Sequence, residues 1–141
     1  MSVGRANPRE LDELARIAKE CGLCVDFPAE LARSYAAVLV LRRAELPLGF
    51  AVAWRAADEL HVIDVGITLT ERRRGLGRML MQALRGAADE QALRVVLLEV
   101  RESNRAAIAL YESEGFAVQG RRERYYSDTG EAAVVMELLL R

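Results

Sequence analysis

The sequence predicts a mixed α/β fold, a central sheet with helices on both faces, and three observations predict it. Leu60 to Ile67 (LHVIDVGI) is a short, mostly apolar, β-branched run of the kind that forms strands. It leads into a helical pattern, with Leu76, Leu80, Ala83, Leu84 and Ala87 recurring at three- and four-residue spacing. Arg94 to Val100 (RVVLLEV) is then nearly continuous apolar, as in a strand covered on both faces.

The other elements follow in order. Pro8 to Lys19 places Leu11, Leu14, Ala15 and Ala18 on one face and most of its charges opposite, a first helix opened by Pro8. Phe27 to about Ser34 is a short second helical piece. Ala36 to Arg42 reads as a strand broken by Glu45-Leu46-Pro47, and Leu48 to Arg55 (LGFAVAWR) as the next. The short connection Ala56 to Glu59 predicts that this strand and the 60–67 strand pair antiparallel. The central helix should end near Gln91. A helix from Arg105 to Ser113 is stopped by Gly115 at C′. Phe116 to Gly120 and Ala132 to Leu140 close the chain as two strands joined by a polar hairpin. No repeat, low-complexity tract or linker interrupts the pattern, so 141 residues are expected to form one domain with one core.

Composition narrows the function classes. Hydrophobic residues make up 52% and the formal net charge is −1, which fits a folded globular protein with no global field for nucleic acid or anionic membrane. Met1 to Pro8 has no apolar signal core, and the longest apolar run, Tyr35 to Leu41, is too short to span a bilayer. A soluble, cytoplasmic protein is expected, monomeric or a weak homodimer. Cys21 and Cys24 have CxxC spacing. A zinc site needs a second pair of ligands, and the only histidine is His61, so they are read as incidental thiols and no metal is expected.

The informative stretch lies between the 60–67 strand and the helix after it: Thr70-Glu71-Arg72-Arg73-Arg74-Gly75-Leu76-Gly77-Arg78. The first amides of a helix have no intrahelical partner and carry the positive end of its dipole. Gly75 and Gly77 leave those amides open to an anion, and four arginines surround them, the makings of a phosphate or pyrophosphate cradle. The bland reading is a solvated arginine-rich turn. A P-loop is excluded because no Gly-Lys-Ser/Thr follows, and a Rossmann loop because there is no third glycine at the required spacing. The spacing Arg72-x-x-Gly75-x-Gly77 resembles the acetyl-CoA loop of the GNAT N-acetyltransferase superfamily.

Three further positions carry chemistry. Glu99 sits near the C-terminal end of the buried 94–100 strand, where open α/β sheets bind ligands. A carboxylate there must be paired, shifted in pKa, or placed at a wet cleft, and the bland alternative is an arginine salt bridge. Asn104 and Tyr111 lie two helical turns apart and share one face. An N-cap and a packed phenol are their ordinary roles. Gly66, inside a strand, predicts a bulge or a close backbone approach.

The segment from Leu98 to Phe116 (LEVRESNRAAIALYESEGF) resembles the most recognisable stretch of the bacterial ribosomal-protein alanine N-acetyltransferases, the RimI type, within that superfamily. Arg121 to Tyr126 and Gly130 to Met136 continue the match, which with the Arg72 to Gly77 loop covers roughly 60–140. The resemblance implies the GNAT fold, a mostly antiparallel sheet flanked by helices, and direct acetyl transfer from acetyl-CoA to a primary amine in a ternary complex, most plainly a protein N-terminus. It implies that the backbone of Val65, Gly66 and Ile67 holds the pantetheine arm and polarises the thioester carbonyl. Amides of Arg73, Arg74, Gly75, Leu76, Gly77 and Arg78, with Arg72, would bind the pyrophosphate, and Asn104 the pantetheine. Glu99 would accept the amine's proton, and Tyr111 would protonate the departing thiolate. Where relatives carry Pro-Trp-Ser after the first helix, this chain has Phe27-Pro28-Ala29-Glu30, and its one tryptophan is Trp54. Ala132 replaces an acidic residue of the last hairpin. The alternatives are acetylation of a small amine and a non-catalytic acyl-CoA-binding regulator. His61 competes with Glu99 as base, because histone-type relatives draw theirs from the early part of this strand.

Overall fold

The computed structural model describes residues 1–141 and contains a seven-stranded sheet in the order β1-β2-β3-β4-β5-β7-β6. β2 (Ala36–Arg43), β3 (Leu46–Ala56) and β4 (Glu59–Ile67) form the expected meander. Their turns place Ala44 and Ala57 at positive φ, 54° and 53°. β5 (Val95–Arg101) runs parallel to β4, and α3 (Leu76–Glu90) makes the crossover between them. β7 (Ala133–Leu139) pairs antiparallel with β5 and with β6 (Ala117–Arg122), so the sheet is mostly antiparallel.

Two elements depart from the sequence expectation. β1 (Ser2–Arg5) adds to β2 at one edge, with Ser2 opposite Arg42. SVGR has no pattern of its own. It is held from outside: the Arg42 guanidinium donates to the Arg5 carbonyl at 2.8 Å and to the buried Glu10 carboxylate at 2.5 and 2.6 Å. The break after β2 falls at Ala44-Glu45 as expected, but Leu46-Pro47 already begins β3. Pro47 sits at a register shift between Leu41 and Arg42, a bulge where a missing N–H is tolerated.

The helices divide between the two faces. α1 (Leu11–Glu20) and α2 (Phe27–Ala32) cover one, where Leu14, Ile17, Ala18 and Phe27 pack on Val38, Val40, Phe50 and Val52. α3 covers the other with Leu76, Leu80, Met81, Leu84 and Ala88, and α4 (Arg105–Ser113) lies beside it with Ala107, Ile108 and Tyr111 partly buried. Each fully buried large aliphatic contributes roughly 1.5–3 kcal/mol. α4 ends in a Schellman motif: Phe116 N–H reaches the Tyr111 carbonyl and Gly115 N–H the Glu112 carbonyl, both at 3.0 Å, with Gly115 at φ +97°.

The feature that makes room for a site is the parting of β4 from β5. They pair only from Glu59–Val95 to Val62–Leu98. At that point β4 carries one residue too many. Val52 of β3 faces Asp64 and Ala53 faces Val62, leaving Ile63 unpaired. Such a bulge bends its strand and reverses the alternation of side chains. Leu60 and Val62 before it, and Val65 and Ile67 after it, all point into the core under α3. The bulge is therefore at Ile63, not at Gly66. Gly66 answers to close approach, by a ring rather than a backbone. A Cβ there would stand 2.7 Å from the Phe50 ring, which is fully buried and stacks edge-on to Phe27 at 5.1 Å. Gly66→Ala is expected to cost about 1–3 kcal/mol and lower the melting temperature by several degrees in a thermal scan.

Candidate active site

The opening between β4 and β5 continues into a cleft of about 1110 Å³ that passes through the plane of the sheet. The predicted residues Val65, Gly66, Ile67, Arg72, Arg73, Gly75, Leu76, Gly77, Arg78, Glu99, Asn104 and Tyr111 all line it, and so does His61. Arg74 does not. Its side chain is 62% exposed and lies 3.8 Å from Glu71. Most of the arginine charge expected around the glycines is also committed elsewhere. Arg72 donates to the Ile67 carbonyl at 3.3 Å and to Cys21 Sγ at 3.2 Å, and Arg78 pairs with Glu114 at 2.8 Å. The cradle is thus built from backbone more than from guanidinium groups.

That backbone fits an anion. Arg73 and Gly75 both take left-handed φ, +65° and +76°, so successive amides turn inward as a nest does. Gly75 caps α3 without a side chain, nothing lies within 4 Å of where its Cβ would be, and the first backbone bond of the helix is Met79 N–H to the Gly75 carbonyl. The amides of Leu76, Gly77 and Arg78 therefore face the cleft at the positive end of a 15-residue helix. Arg73 shares its left-handed φ with Ala44 and Ala57 of the strand turns, so it marks a tight turn that aims the loop's amides. Gly77 has a second task. A Cβ there would meet Leu110 Cδ2 of α4 at 3.2 Å.

The two mouths of the cleft differ. On the α3/α4 side, Asn104 and Tyr111 line it from one helix face. Asn104 is also the N-cap of α4, accepting from Ala107 N–H at 3.2 Å, and Tyr111 packs near Phe116 with ring centroids 5.8 Å apart. Burial pushes the Tyr111 phenol above its ordinary pKa, so it keeps its proton at neutral pH and can donate it. On the α1/α2 side, Glu99 pairs with Arg122 Nε at 3.3 Å and is 27% exposed, both paired and wet. The Tyr125 phenol lies beside Glu99, and that carboxylate raises the phenol's pKa. Tyr126 is raised chiefly by burial, and Arg101 lies over its ring at 4.0 Å.

The carboxylate that burial does displace is Asp64, which no motif in the sequence singles out. Burial first, and the Glu30 carboxylate second, push its pKa up to about 6. It lines the cleft from β4, opposite Glu99 on β5, and makes no ion pair or hydrogen bond with the protein. A signal was present. In LHVIDVGI the apolar positions shift from even to odd numbers across Ile63 and Asp64, the mark of a bulge carrying a polar residue. His61 is less free, since its Nε2 lies 2.9 Å from Glu59 and its side chain is 40% exposed. Cys21 is not incidental in position. It lines the cleft and its thiol donates to the Ile67 carbonyl at 3.4 Å, whereas Cys24 is exposed. Trp54 nevertheless lies beside the Phe27-Pro28-Ala29-Glu30 segment, because its indole donates to Glu30 of α2 at 2.9 Å. No helix is long and apolar enough to cross a membrane.

Comparison with known proteins places this geometry. The chain is 38% identical over 91 residues to the ribosomal protein bS18-alanine N-acetyltransferase of Escherichia coli K12, a match covering 63% of this chain and 62% of that protein. It is 42% identical over 78 residues to the N-alpha-acetyltransferase RimI of Mycobacterium tuberculosis, covering 55% and 48%. These matches span less than two thirds of either relative. Against the crystal structure of the E. coli ribosomal-protein-S18-alanine N-acetyltransferase the TM-score is 0.89 at 27% identity, over 99% of this chain and 93% of that one. Residues 9–116 match the family model for acetyltransferase (GNAT), and the chain, with its parted β4 and β5 and its amide cradle on α3, belongs to that family.

Proposed function

We propose that the protein transfers the acetyl group of acetyl-CoA to a primary amine, and that the amine is the N-terminal α-amino group of a protein, a ribosomal protein among the candidates. The observation that carries the reading is the cleft between β4 and β5. Its α3 end offers open amides to a pyrophosphate, and its middle is flanked by a phenol on one side and carboxylates on the other.

The residues present suit that cosubstrate. Amides of Gly75 to Arg78, with Arg73, would hold the pyrophosphate. Asn104 and the free edge of β4 at Val65–Ile67 would hold the pantetheine arm. The amine must be neutral to attack. Glu99 takes a proton from it as the C–N bond forms, directly or through water, and Tyr111 gives one to the sulfur as the C–S bond breaks. Nitrogen and thioester meet directly, with no acyl-enzyme. A binding-only regulator has no use for a phenol and carboxylates placed around the same opening.

A protein N-terminus is favoured over a small amine by the similarity to enzymes named for α-amino acetylation. Incubation with acetyl-CoA and peptides beginning Ala-Arg is expected to give N-terminally acetylated peptide, read by mass spectrometry, with free CoA in equal amount. Turnover of small amines alone would transfer the reading to small-molecule acetylation, and no turnover of any amine alongside tight acetyl-CoA binding would make the chain a regulator.

A further inference from the structure

We propose that Asp64 is the residue that receives the substrate's ammonium group and takes its first proton, so that two carboxylates, on opposite sides of the parted strands, divide the deprotonation of the amine. The inference rests on the acetyl-transfer reading above and adds a residue to it.

The nitrogen has two protons to shed, which leaves room for two acceptors. An ammonium R–NH3⁺ and a thioester give an amide, a thiol and one proton. The nitrogen therefore loses two protons, one before its lone pair is free to attack and one as the amide forms. The sulfur takes one, supplied by Tyr111, and the other leaves through the protein. Glu99 is poorly placed to do both tasks, because Arg122 at 3.3 Å already balances its charge. An ammonium gains more from a carboxylate with no cation beside it.

Asp64 is that carboxylate. The bulge at Ile63 sets it opposite Val52, a residue of the core beneath α1 and α2. It thus lies on the same face as Leu97 and Glu99 of β5, just past the last β4–β5 pair. Without the bulge it would share the face of Leu60 and Val62 and be driven into the core under α3. The charged and titratable groups on this face and rim are Glu30 from α2 with its partner Arg33, Cys21 after α1 with Arg72 bonded to its sulfur, and His61 and Glu59 earlier on β4. Opposite stand Glu99 and Arg101 from β5, Arg122 from β6, and Tyr125 and Tyr126 from the hairpin. No cation among them reaches Asp64: Arg122 pairs with Glu99, Arg101 with Asp128 at 2.9 Å and Glu131 at 3.5 Å, Arg33 with Glu30, and Arg72 is bonded to the Ile67 carbonyl at 3.3 Å and Cys21 Sγ at 3.2 Å. Asp64 is left without a cation, and a carboxyl displaced to about 6 is basic enough to take a proton from a bound ammonium.

Asp64→Asn tests this. In the wild type, kcat/KM for an Ala-Arg peptide is expected to fall below pH about 6, as Asp64 protonates. The Asn variant should lose on the order of 10²-fold in kcat/KM at pH 7 and no longer show that acidic limb, while calorimetric affinity for acetyl-CoA stays unchanged. Asp64→Glu should restore part of both. The fold should tolerate the change. A carboxyl whose folded pKa is raised destabilises the protein above that pKa, so the Asn variant should melt higher at pH 7, with the gain vanishing as pH falls towards 4. Unchanged rate and an unchanged acidic limb in Asp64→Asn would overturn the proposal.

A second readout does not need turnover. The Asp64 carboxyl carbon can be titrated by NMR with and without peptide, in the presence of desulfo-CoA. Binding of the ammonium should move its midpoint downward from about 6, and no movement in a peptide-saturated sample would overturn the proposal. If the wild type acetylates nothing, the functional reading fails, and this titration still decides whether Asp64 receives an ammonium.

Discussion

Calorimetry on Gly77→Asp is expected to show no acetyl-CoA binding in a protein that remains folded. Gly77 is the second residue of α3, within the run of amides that have no acceptor of their own. A carboxylate there would satisfy those amides from inside the chain and present its charge to the incoming pyrophosphate. Affinity should fall by at least about a hundred-fold, or ~2.7 kcal/mol. The helix itself should not suffer, because an acidic residue in the first turn favours the dipole by roughly 0.3–1 kcal/mol. Gly77→Ala separates charge from bulk. Its methyl would stand 3.2 Å from Leu110 Cδ2, the far end of a flexible side chain that can move aside, so binding should change little. Equal affinity in wild type and the Asp variant would mean that the α3 amides are not the anion site, and the account of the cleft would lose its basis.

What the sequence makes legible here is whatever a local pattern encodes. The strand, loop and helix from Leu60 to Glu90 and the helix from Arg105 to Ser113 each carry their own period and stop signals, and the structure has them in place. The hidden parts are those decided by distant residues. β1 is held by Arg42 and Glu10, so SVGR gives no sign of being a strand. Pro47 breaks a strand by rule, yet a bulge absorbs it. Arginines that seem poised around the glycines turn out to be drawn to Glu114, Glu71 and the Ile67 carbonyl. Glu99 is visible because it is a charge in an apolar run. Asp64 sits in a run just as apolar but escapes notice, because strict alternation assigns it to the wrong face. One unpaired residue, Ile63, makes the difference.

The choice of acceptor for the second proton gives the other large effect. Glu99→Gln is expected to lose roughly 10²–10⁴-fold in kcat with acetyl-CoA saturating, and to keep the acidic limb that belongs to Asp64. His61→Gln should stay near wild type in both respects. The reason lies in what each group already holds. His61 Nε2 is bonded to Glu59 at 2.9 Å on the paired part of β4, before the strands separate. Glu99 stands where they have parted, with Arg122 to steady it and water within reach. Loss of the Arg122 pair should not confound the result. Arg122 is 60% exposed, and ion pairs of that kind contribute about 0–1 kcal/mol, so water can replace the carboxylate without unfolding the hairpin. A Glu99→Gln enzyme that keeps its rate would remove Glu99 from the proton path. A His61→Gln enzyme that loses rate in its place would put the acceptor on the early part of β4, as in the histone-type arrangement. Loss in both variants, each with the acidic limb intact, would mean that the proton leaves through a chain joining the two residues across the opening.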